Sequence, residues 1–230
     1  ICGTSPGGVL AVLLGLERAT ASELEALYDA LIKEIFVKGA PAVAGARLVM
    51  RQAYYDETLW ESILLRAFGQ ARMIDFAADT TTPKVFCLST NVSTNPARLV
   101  IWRNYNYPTA APAAASPREP SQVEQGTNTA GLGSPFWHSL QHQLLRLLQP
   151  VPAAAMGGHN QEASAPAAWG AGRYEGSCCV FVRDALRATT AAPGFFSGKI
   201  VGGETVIDGA LLANNPSAVA VSEARALYPQ

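Results

Sequence analysis

The chain has little charge of either sign and few histidines. Only 15% of its 230 residues are charged, and the formal net charge is -1. Without an excess of lysine and arginine there is no positive field to attract phosphate backbones, so nucleic acid is not an expected partner. The three histidines, His138, His142 and His159, all fall in one stretch rich in alanine, proline and glycine. Chemistry that needs a firmly held imidazole is therefore not expected elsewhere in the chain.

Cysteine motifs and long apolar runs are also lacking. The four cysteines, Cys2, Cys87, Cys178 and Cys179, form no CxxC pair and do not cluster with histidine, so no metal site is expected. Cys178 and Cys179 stand in an apolar run and are predicted to be buried thiols, which favours a reducing, intracellular setting. No apolar run approaches the ~20 residues that a membrane-spanning helix needs.

What the chain does contain is enough apolar sequence, about half of its residues, for one α/β domain with a substantial core. A layered α/β fold is indicated because buried strands alternate with helical patterns. The spacing of apolar residues and the capping signals predict helices over residues 6–16, from Ser22 towards Gly39, from Asp56 to Gly69, near 182–192 and over 216–227. Strands are predicted at residues 84–90, 98–102 and 206–207.

Residues 108–176 have a different texture, dominated by alanine, proline, glycine and serine. Such a segment cannot bury enough apolar surface to offset its chain entropy, so we expect a low-complexity, disordered insertion within a domain that covers residues 1–230. One apolar island, FWHSLQHQLLRLL at residues 136–148, interrupts it. This island is predicted to be a helix, either docked on the domain or lying in a membrane interface.

A serine stands between two glycines at the start of the chain, in the string GTSPG from Gly3 to Gly7. A GxSxG string arises by chance in roughly one chain in ten of this length. Here a helical pattern starts at Pro6, and a helix N-terminus favours a developing alkoxide or oxyanion at Ser5. A strand-to-helix elbow crowds the backbone, so glycine at positions 3 and 7 would let the turn close. Ser5 is therefore a candidate nucleophile.

A serine hydroxyl needs a neighbouring base, and the position of the histidines suggests that this base is a carboxylate. Asp208 is the candidate, because it follows an apolar strand and precedes Gly209 and Ala210 in a tight turn at the strand end. Asp-Gly is also an ordinary turn dipeptide, so the sequence position of Asp208 leaves both interpretations open.

The two candidate residues and the strings between them resemble one family. The strings are YYDETLWESIL (residues 54–64), PKVFCLSTNV (83–92), WRNY (102–105), ALRATTAAPGFF (185–196) and DGALLANNPSAVAVSEA (208–224). Together they resemble the patatin-like phospholipases, and within them the calcium-independent phospholipase A gamma-type enzymes. The resemblance extends over nearly everything except residues 108–176.

This resemblance implies a three-layer α/β/α fold and a Ser-Asp dyad. Ser5 would attack an acyl ester of a glycerophospholipid, and Asp208 would accept its proton and later activate water to hydrolyse the acyl-enzyme. The resemblance implies neither a metal nor another cofactor. It implies an acyl-ester lipid as substrate and a peripheral position on an intracellular membrane, and it leaves the oligomeric state open.

The sequence departs from the family's pattern at its ends. In the family a GGGxRG loop upstream of the elbow provides oxyanion amides, whereas only Ile1 and Cys2 precede Gly3 here. Losing one oxyanion donor typically costs ~10²- to 10³-fold in rate. We therefore expect residues 1–230 to be a partial domain, truncated at both ends and inactive by itself.

Two other functions remain open at this stage. A chain that keeps the fold without the chemistry would bind lipid surfaces or protein partners, which the missing loop and the island at residues 136–148 favour. Alternatively, a Ser-His-Asp hydrolase would use His138 or His142 as its base.

Overall fold

The computed structural model describes residues 1–33, 55, 57–107 and 174–228. These residues form a mixed sheet of six strands with helices on both faces. The elements in chain order are β1 (Cys2–Thr4), α1 (Pro6–Gly15), α2 (Ala21–Ile32), α3 (Glu57–Phe68), a 3-10 helix (Met73–Ala78), β2 (Phe86–Asn91), β3 (Arg98–Arg103), β4 (Glu175–Ser177), α4 (Val182–Thr189), β5 (Lys199–Val201), β6 (Glu204–Asp208), α5 (Ala210–Ala213) and α6 (Ser217–Leu227).

Strand β2 lies at the centre of the sheet, whose order is β4-β3-β2-β6-β5 with β1 also paired to β2. β1 runs parallel to the first half of β2, where Thr4 lies opposite Leu88. β6 runs antiparallel to the second half, where Asp208 lies opposite Ser89. Strands β1 and β6 therefore lie end to end along one edge of β2, and their carboxyl ends meet at its middle.

The predicted three-layer α/β/α arrangement is confirmed by the two cores on the faces of the sheet. Successive residues of a strand point to opposite faces. Accordingly, Cys87 packs in a core with helices α1, α2, α3 and α4, whereas Leu88 packs in a second core with Val219 of α6. Both side chains are fully buried, so β2 is covered on both faces.

Each predicted helix and strand has a counterpart among the described residues, but several ends differ; the helix predicted near 182–192, for example, ends at Thr189, and the start of α2 is also displaced. The predicted cap of α2 is Ser22, whereas the structure places the cap at Thr20. The Thr20 side chain accepts from the Glu23 amide, and the Glu23 carboxylate accepts from the Thr20 amide at 2.7 Å. Thr20 has the extended backbone that a cap requires, so the predicted start at Ser22 is wrong by about half a turn. Gly39 and Asp56 lie outside the described residues.

The expected insertion lies largely outside the described residues, which resume at residue 174. The three histidines and the island at residues 136–148 lie outside them as well. The predicted boundary at residue 176 is wrong, because Glu175 and Gly176 belong to β4, which pairs with β3 in parallel. An ion pair between Arg98 and Glu175 joins the two strands at their beginning.

Cys178 and Cys179 differ in exposure, although both were predicted to be buried. The chain bends after β4, so Cys178 is buried whereas Cys179 is exposed.

Among the described helices, none is both long and apolar enough to cross a membrane.

Candidate active site

Ser5 occupies the turn between β1 and α1, which begins at Pro6. Its backbone has φ 57° and ψ -129°, a conformation that residues other than glycine rarely adopt. Holding a non-glycine residue there costs about 1–3 kcal/mol, and such strain is found preferentially at functional sites. The sharp strand-to-helix turn leaves the side chain of Ser5 partly exposed. This is the local geometry of a nucleophile elbow.

The glycines around Ser5 have different structural roles. A Cβ at Gly3 would lie 1.9 Å from the carbonyl oxygen of Gly7, so only glycine fits at position 3. A Cβ at Gly7 would meet no described atom within 4 Å, so the predicted steric reason for glycine at position 7 is wrong. The close approach falls on Gly8 instead, where a Cβ would lie 3.0 Å from side-chain atoms of both Cys87 and Thr189.

Asp208 ends β6 and is only 2% exposed. Its Oδ1 accepts from the amide of Ala210 at 2.8 Å, and its own amide donates to the carbonyl of Ala191 at 3.0 Å. A Cβ at Gly209 would lie 2.6 Å from the carbonyl oxygen of Leu88. The turn thus packs directly on β2 and needs glycine after the aspartate, so the carboxylate is held in one orientation.

Burial raises the pKa of Asp208, and interactions with the Ser5 hydroxyl and the Ala210 amide lower it only in part. The Ser5 hydroxyl is thus close enough to affect the carboxylate. Oδ2 of Asp208 is nevertheless buried without a hydrogen bond of regular geometry to any described residue. Hydrogen bonds between catalytic groups often become short and well aligned only when substrate binds. A buried acceptor oxygen therefore lies near the predicted nucleophile.

The sheet explains why residues so distant in sequence are neighbours. Thr4 pairs with Leu88 and Asp208 pairs with Ser89, so consecutive residues of β2 align the ends of β1 and β6. The Thr4 hydroxyl also donates to the carbonyl of Ala213 in α5 at 2.9 Å. The structure therefore brings together Ser5 and Asp208, as the sequence analysis predicts.

Thr189 at the end of α4 is a site residue that the sequence analysis missed. Its fully buried hydroxyl accepts from the Ser5 amide at 3.0 Å and donates to the Leu88 carbonyl at 2.5 Å. It therefore fixes the elbow backbone to β2. The only sequence signal was a polar residue on the buried face of an amphipathic helix, in the string ALRATTAAPGFF.

Pro6 determines which amides the elbow can offer to an oxyanion. In many hydrolases the residue after the nucleophile donates its N–H, but proline has none. The first amides of a helix have no acceptor within that helix. Gly7 is therefore the first residue of α1 that can donate, so the elbow has one donor fewer than usual.

The surface beside Asp208 is apolar. Leu211 and Leu212 of α5 follow the Asp208 turn directly and are 59% and 49% exposed. Within residues 1–33, 55, 57–107 and 174–228, no group of three His, Cys, Asp or Glu side chains could hold a metal ion. The described groups at the site are a hydroxyl, a carboxylate and backbone amides.

Comparison with known proteins agrees with this geometry. The family model for the patatin-like phospholipases matches residues 1–221. Over its whole length the chain is 29% identical to the calcium-independent phospholipases A2-gamma of Rattus norvegicus and Homo sapiens, and it spans 22% of each. It is 28% identical over 249 residues to Phospholipase A I of Arabidopsis thaliana and spans 17% of that protein. The chain thus has about a fifth of the length of these relatives. Because the family model covers nearly all of it, the chain belongs to the patatin-like phospholipase family.

Proposed function

We propose that this chain is the catalytic part of a lipid acyl hydrolase of the phospholipase type, with Ser5 as nucleophile and Asp208 as base. The observation that carries the proposal is the pairing of a strained serine elbow with a buried carboxylate oxygen that has no regular hydrogen bond among the described residues. The matched family and the names of the relatives support the phospholipase class.

In the proposed reaction, Ser5 Oγ attacks the carbonyl carbon of an acyl ester while its proton passes to Asp208. The tetrahedral intermediate collapses and expels the lipid alkoxide, which takes the proton from Asp208. Asp208 then accepts a proton from water as that water attacks the acyl-enzyme. Release of the fatty acid returns the proton to Ser5 Oγ. Each proton transfer thus uses the same carboxylate.

The raised pKa of Asp208 supports its role as base. An ordinary aspartate is a weak base at neutral pH, and a base works best when its pKa lies closer to the working pH. Burial weakens the hydration of the carboxylate and so increases its affinity for the serine proton. Thr189 and the Asp208 turn hold both groups against β2, so little reorganisation is needed before attack.

The substrate we propose is a glycerophospholipid in a membrane, bound from the surface. Leu211 and Leu212 support this, because exposed leucines next to the proposed dyad can contact acyl chains. An intracellular, peripheral membrane location is part of this proposal.

Covalent labelling with a fluorophosphonate tests the proposed nucleophile directly. The experiment uses the full-length protein, because residues 1–230 are expected to be inactive by themselves. We expect the reagent to label Ser5 and expect Ser5→Ala to abolish the labelling. Ser217→Ala, at the start of α6, is a control that should leave it unchanged. Equal labelling of Ser5→Ala would refute Ser5 as nucleophile. Labelling that persists only while His138 and His142 are present would instead support the Ser-His-Asp alternative.

The membrane-facing surface needs a separate test, because a non-catalytic lipid-binding protein would share it. We expect the double variant Leu211→Ser/Leu212→Ser to reduce co-sedimentation with phosphatidylcholine vesicles while fluorophosphonate labelling of Ser5 persists. Val221→Ser, on α6 and 53% exposed, is the matched control. Vesicle binding by a chain that takes no label would favour the non-catalytic function.

A further inference from the structure

The thiols of Cys178 and Cys179 face each other. Their sulfurs are 3.8 Å apart, although side chains of adjacent residues in a strand point to opposite sides. The bend that follows β4 brings them together. Such an approach places two adjacent sulfurs in van der Waals contact, which is the arrangement from which a bond between them can form.

The backbone holds this bend from both sides. The Cys179 amide donates to the Ser177 hydroxyl at 3.1 Å, and the Cys178 carbonyl accepts from the Ile74 amide at 2.9 Å. The Cys178 thiol donates to Oδ1 of Asn106 at 3.0 Å. Cys178 is therefore a fixed, buried thiol, whereas its exposed neighbour Cys179 is open to reagents from solvent.

A buried cation lies beside the pair. Arg103 and Cys178 directly follow Trp102 and Ser177, which form the last pair of the β3–β4 ladder, and the Arg103 charge is close enough to act on the Cys178 thiol. Arg103 is 2% exposed, and its Nη1 forms no hydrogen bond with the described residues. Its charge lowers the pKa of Cys178, against a larger increase caused by burial. The positive charge of the Arg103 guanidinium stabilises a thiolate at Cys178.

We propose that Cys178 and Cys179 are a redox-active dithiol that a hydroperoxide converts to a disulfide between adjacent residues. The Cys179 thiol loses its proton, and the thiolate attacks the peroxide. The O–O bond breaks, Cys179 becomes a sulfenic acid, and the departing hydroxide or alkoxide takes up that proton and leaves as water or an alcohol. The Cys178 sulfur then attacks the sulfenic sulfur, the S–O bond breaks, and the hydroxyl group leaves as water with the Cys178 proton. The two thiols lose two electrons in total, and the peroxide gains them.

Cys87 provides an internal comparison. It is fully buried, burial raises the pKa of its thiol, and its sulfur lies 3.9 Å from the Ala185 carbonyl oxygen. A thiol with no exposed surface and no neighbouring sulfur should resist the same oxidant. The proposed chemistry is therefore specific to the pair at residues 178 and 179, and it does not depend on the proposed lipid hydrolysis.

The sequence allows a direct experiment on the intact chain. Trypsin cleavage after Arg173 and Arg183 releases residues 174–183, which contain both cysteines and no other. After brief treatment with hydrogen peroxide and alkylation of free thiols, we expect this peptide unalkylated and about 2 Da lighter, as an internal disulfide requires. Dithiothreitol should restore it. Peptide 85–98, which contains only Cys87, should stay reduced and alkylated.

Single variants distinguish this disulfide from simple oxidation of an exposed thiol. Cys178→Ser should abolish the lighter peptide and leave Cys179 to progress to sulfinic acid. Cys179→Ser should leave Cys178 reduced. Phenylarsine oxide, which bridges two neighbouring thiols, should bind the native peptide and neither variant. Sulfinic acid at Cys179 in the native chain without any disulfide, or a disulfide to Cys2, would overturn the proposal.

Discussion

Asp208 and Glu223 are buried to the same extent, each 2% exposed, yet the protein surrounds them differently. Both oxygens of Glu223 accept hydrogen bonds: Tyr107 donates to Oε1 and Oε2 at 2.8 and 2.7 Å, and Tyr105 donates to Oε2 at 2.8 Å. The Asp208 carboxylate accepts a hydrogen bond from Ala210 at Oδ1, whereas its Oδ2 has no regular hydrogen bond among the described residues. The Ser5 hydroxyl is close enough to lower the pKa of Asp208. Equal burial therefore has unequal consequences for the two carboxylates.

The hydroxyls of Tyr105 and Tyr107 supply the hydrogen bonds that the buried carboxylate of Glu223 needs in place of water. Burial and the Glu223 carboxylate both raise the pKa of Tyr105 and of Tyr107, so the two hydroxyls keep the protons that they donate. The Arg103 guanidinium lies 4.7 Å from the centre of the Tyr107 ring and adds a cation–π contact. The Glu223 carboxylate is held by its partners, whereas the Asp208 carboxylate keeps one oxygen without a regular hydrogen bond to any described residue. The difference suggests that hydrogen bonding, more than burial, separates a structural acid from a reactive one.

Replacing each acid by its amide should have very unequal effects on the rate of labelling at Ser5. Asp208→Asn removes the proposed base, so we expect fluorophosphonate labelling at Ser5 to slow by about 10²- to 10⁴-fold. Glu223→Gln should leave the labelling rate within about twofold of the native rate. This corresponds to a change of less than about 0.5 kcal/mol in the activation free energy. Labelling rates of the folded variants, checked by circular dichroism, measure this. A loss of labelling in Glu223→Gln comparable to that in Asp208→Asn would remove the proposed distinction.

Thr189→Val tests whether labelling at Ser5 depends on the Thr189 hydroxyl as well as on the Asp208 carboxylate. The variant keeps the side-chain shape but removes the acceptor for the Ser5 amide and the donor to Leu88. We expect labelling to slow by about 10- to 100-fold, since a small displacement of a nucleophile has effects of this size. Thr189→Ser should restore most of the rate.

Thr190→Val is the matched control for that change. It removes a hydrogen bond from the Trp60 indole at 2.9 Å, next along the chain but away from the elbow. Both valine variants should lose about 1–3 kcal/mol of unfolding free energy. Only Thr189→Val should slow labelling; equal slowing in both would mean that general destabilisation is the cause.

The stability of Asp208→Asn should depend on pH. The pKa of Asp208 is raised in the fold. The free energy of unfolding of the native protein therefore falls as pH rises from the ordinary aspartate pKa through the pKa in the fold. The asparagine variant should therefore be more stable than the native chain at neutral pH, and this advantage should vanish below the ordinary aspartate pKa. Chemical denaturation at several pH values measures the difference. A native chain that gains stability relative to the variant as pH rises would contradict the raised pKa.

The smallest effect concerns the strained backbone at Ser5. Glycine adopts φ 57° without penalty, so we expect Ser5→Gly to be more stable than Ser5→Ala by about 1 kcal/mol. Both variants lose labelling, so they separate strain from chemistry. Urea denaturation of the two variants measures the strain, and equal midpoints would show that the elbow stores none.

Much of the fold was predictable because its helices and central strands carry strong periodic signals. The position of Asp208 at the end of a strand was predictable because an apolar strand followed by Asp-Gly is a local pattern. β1 has only three residues, and its pairing with β2 depends on contacts distant in sequence. Thr189 looked like an ordinary helical threonine, since its two partners belong to other elements. The roles of Gly7 and Gly8 could not be separated either, because the atoms that approach Gly8 come from Cys87 and Thr189.

Because β1 and β6 lie end to end along β2, the sheet joins two parts of the chain that could be produced as separate fragments. The described residues up to 107 contain Ser5 and the central strand, whereas those from 174 contain Asp208 and Thr189. β4 and β6 each pair with a strand of the first part, so two separately produced fragments would have complementary sheet edges. Neither fragment alone would hold both proposed catalytic groups, and labelling at Ser5 would then report reassembly of the sheet.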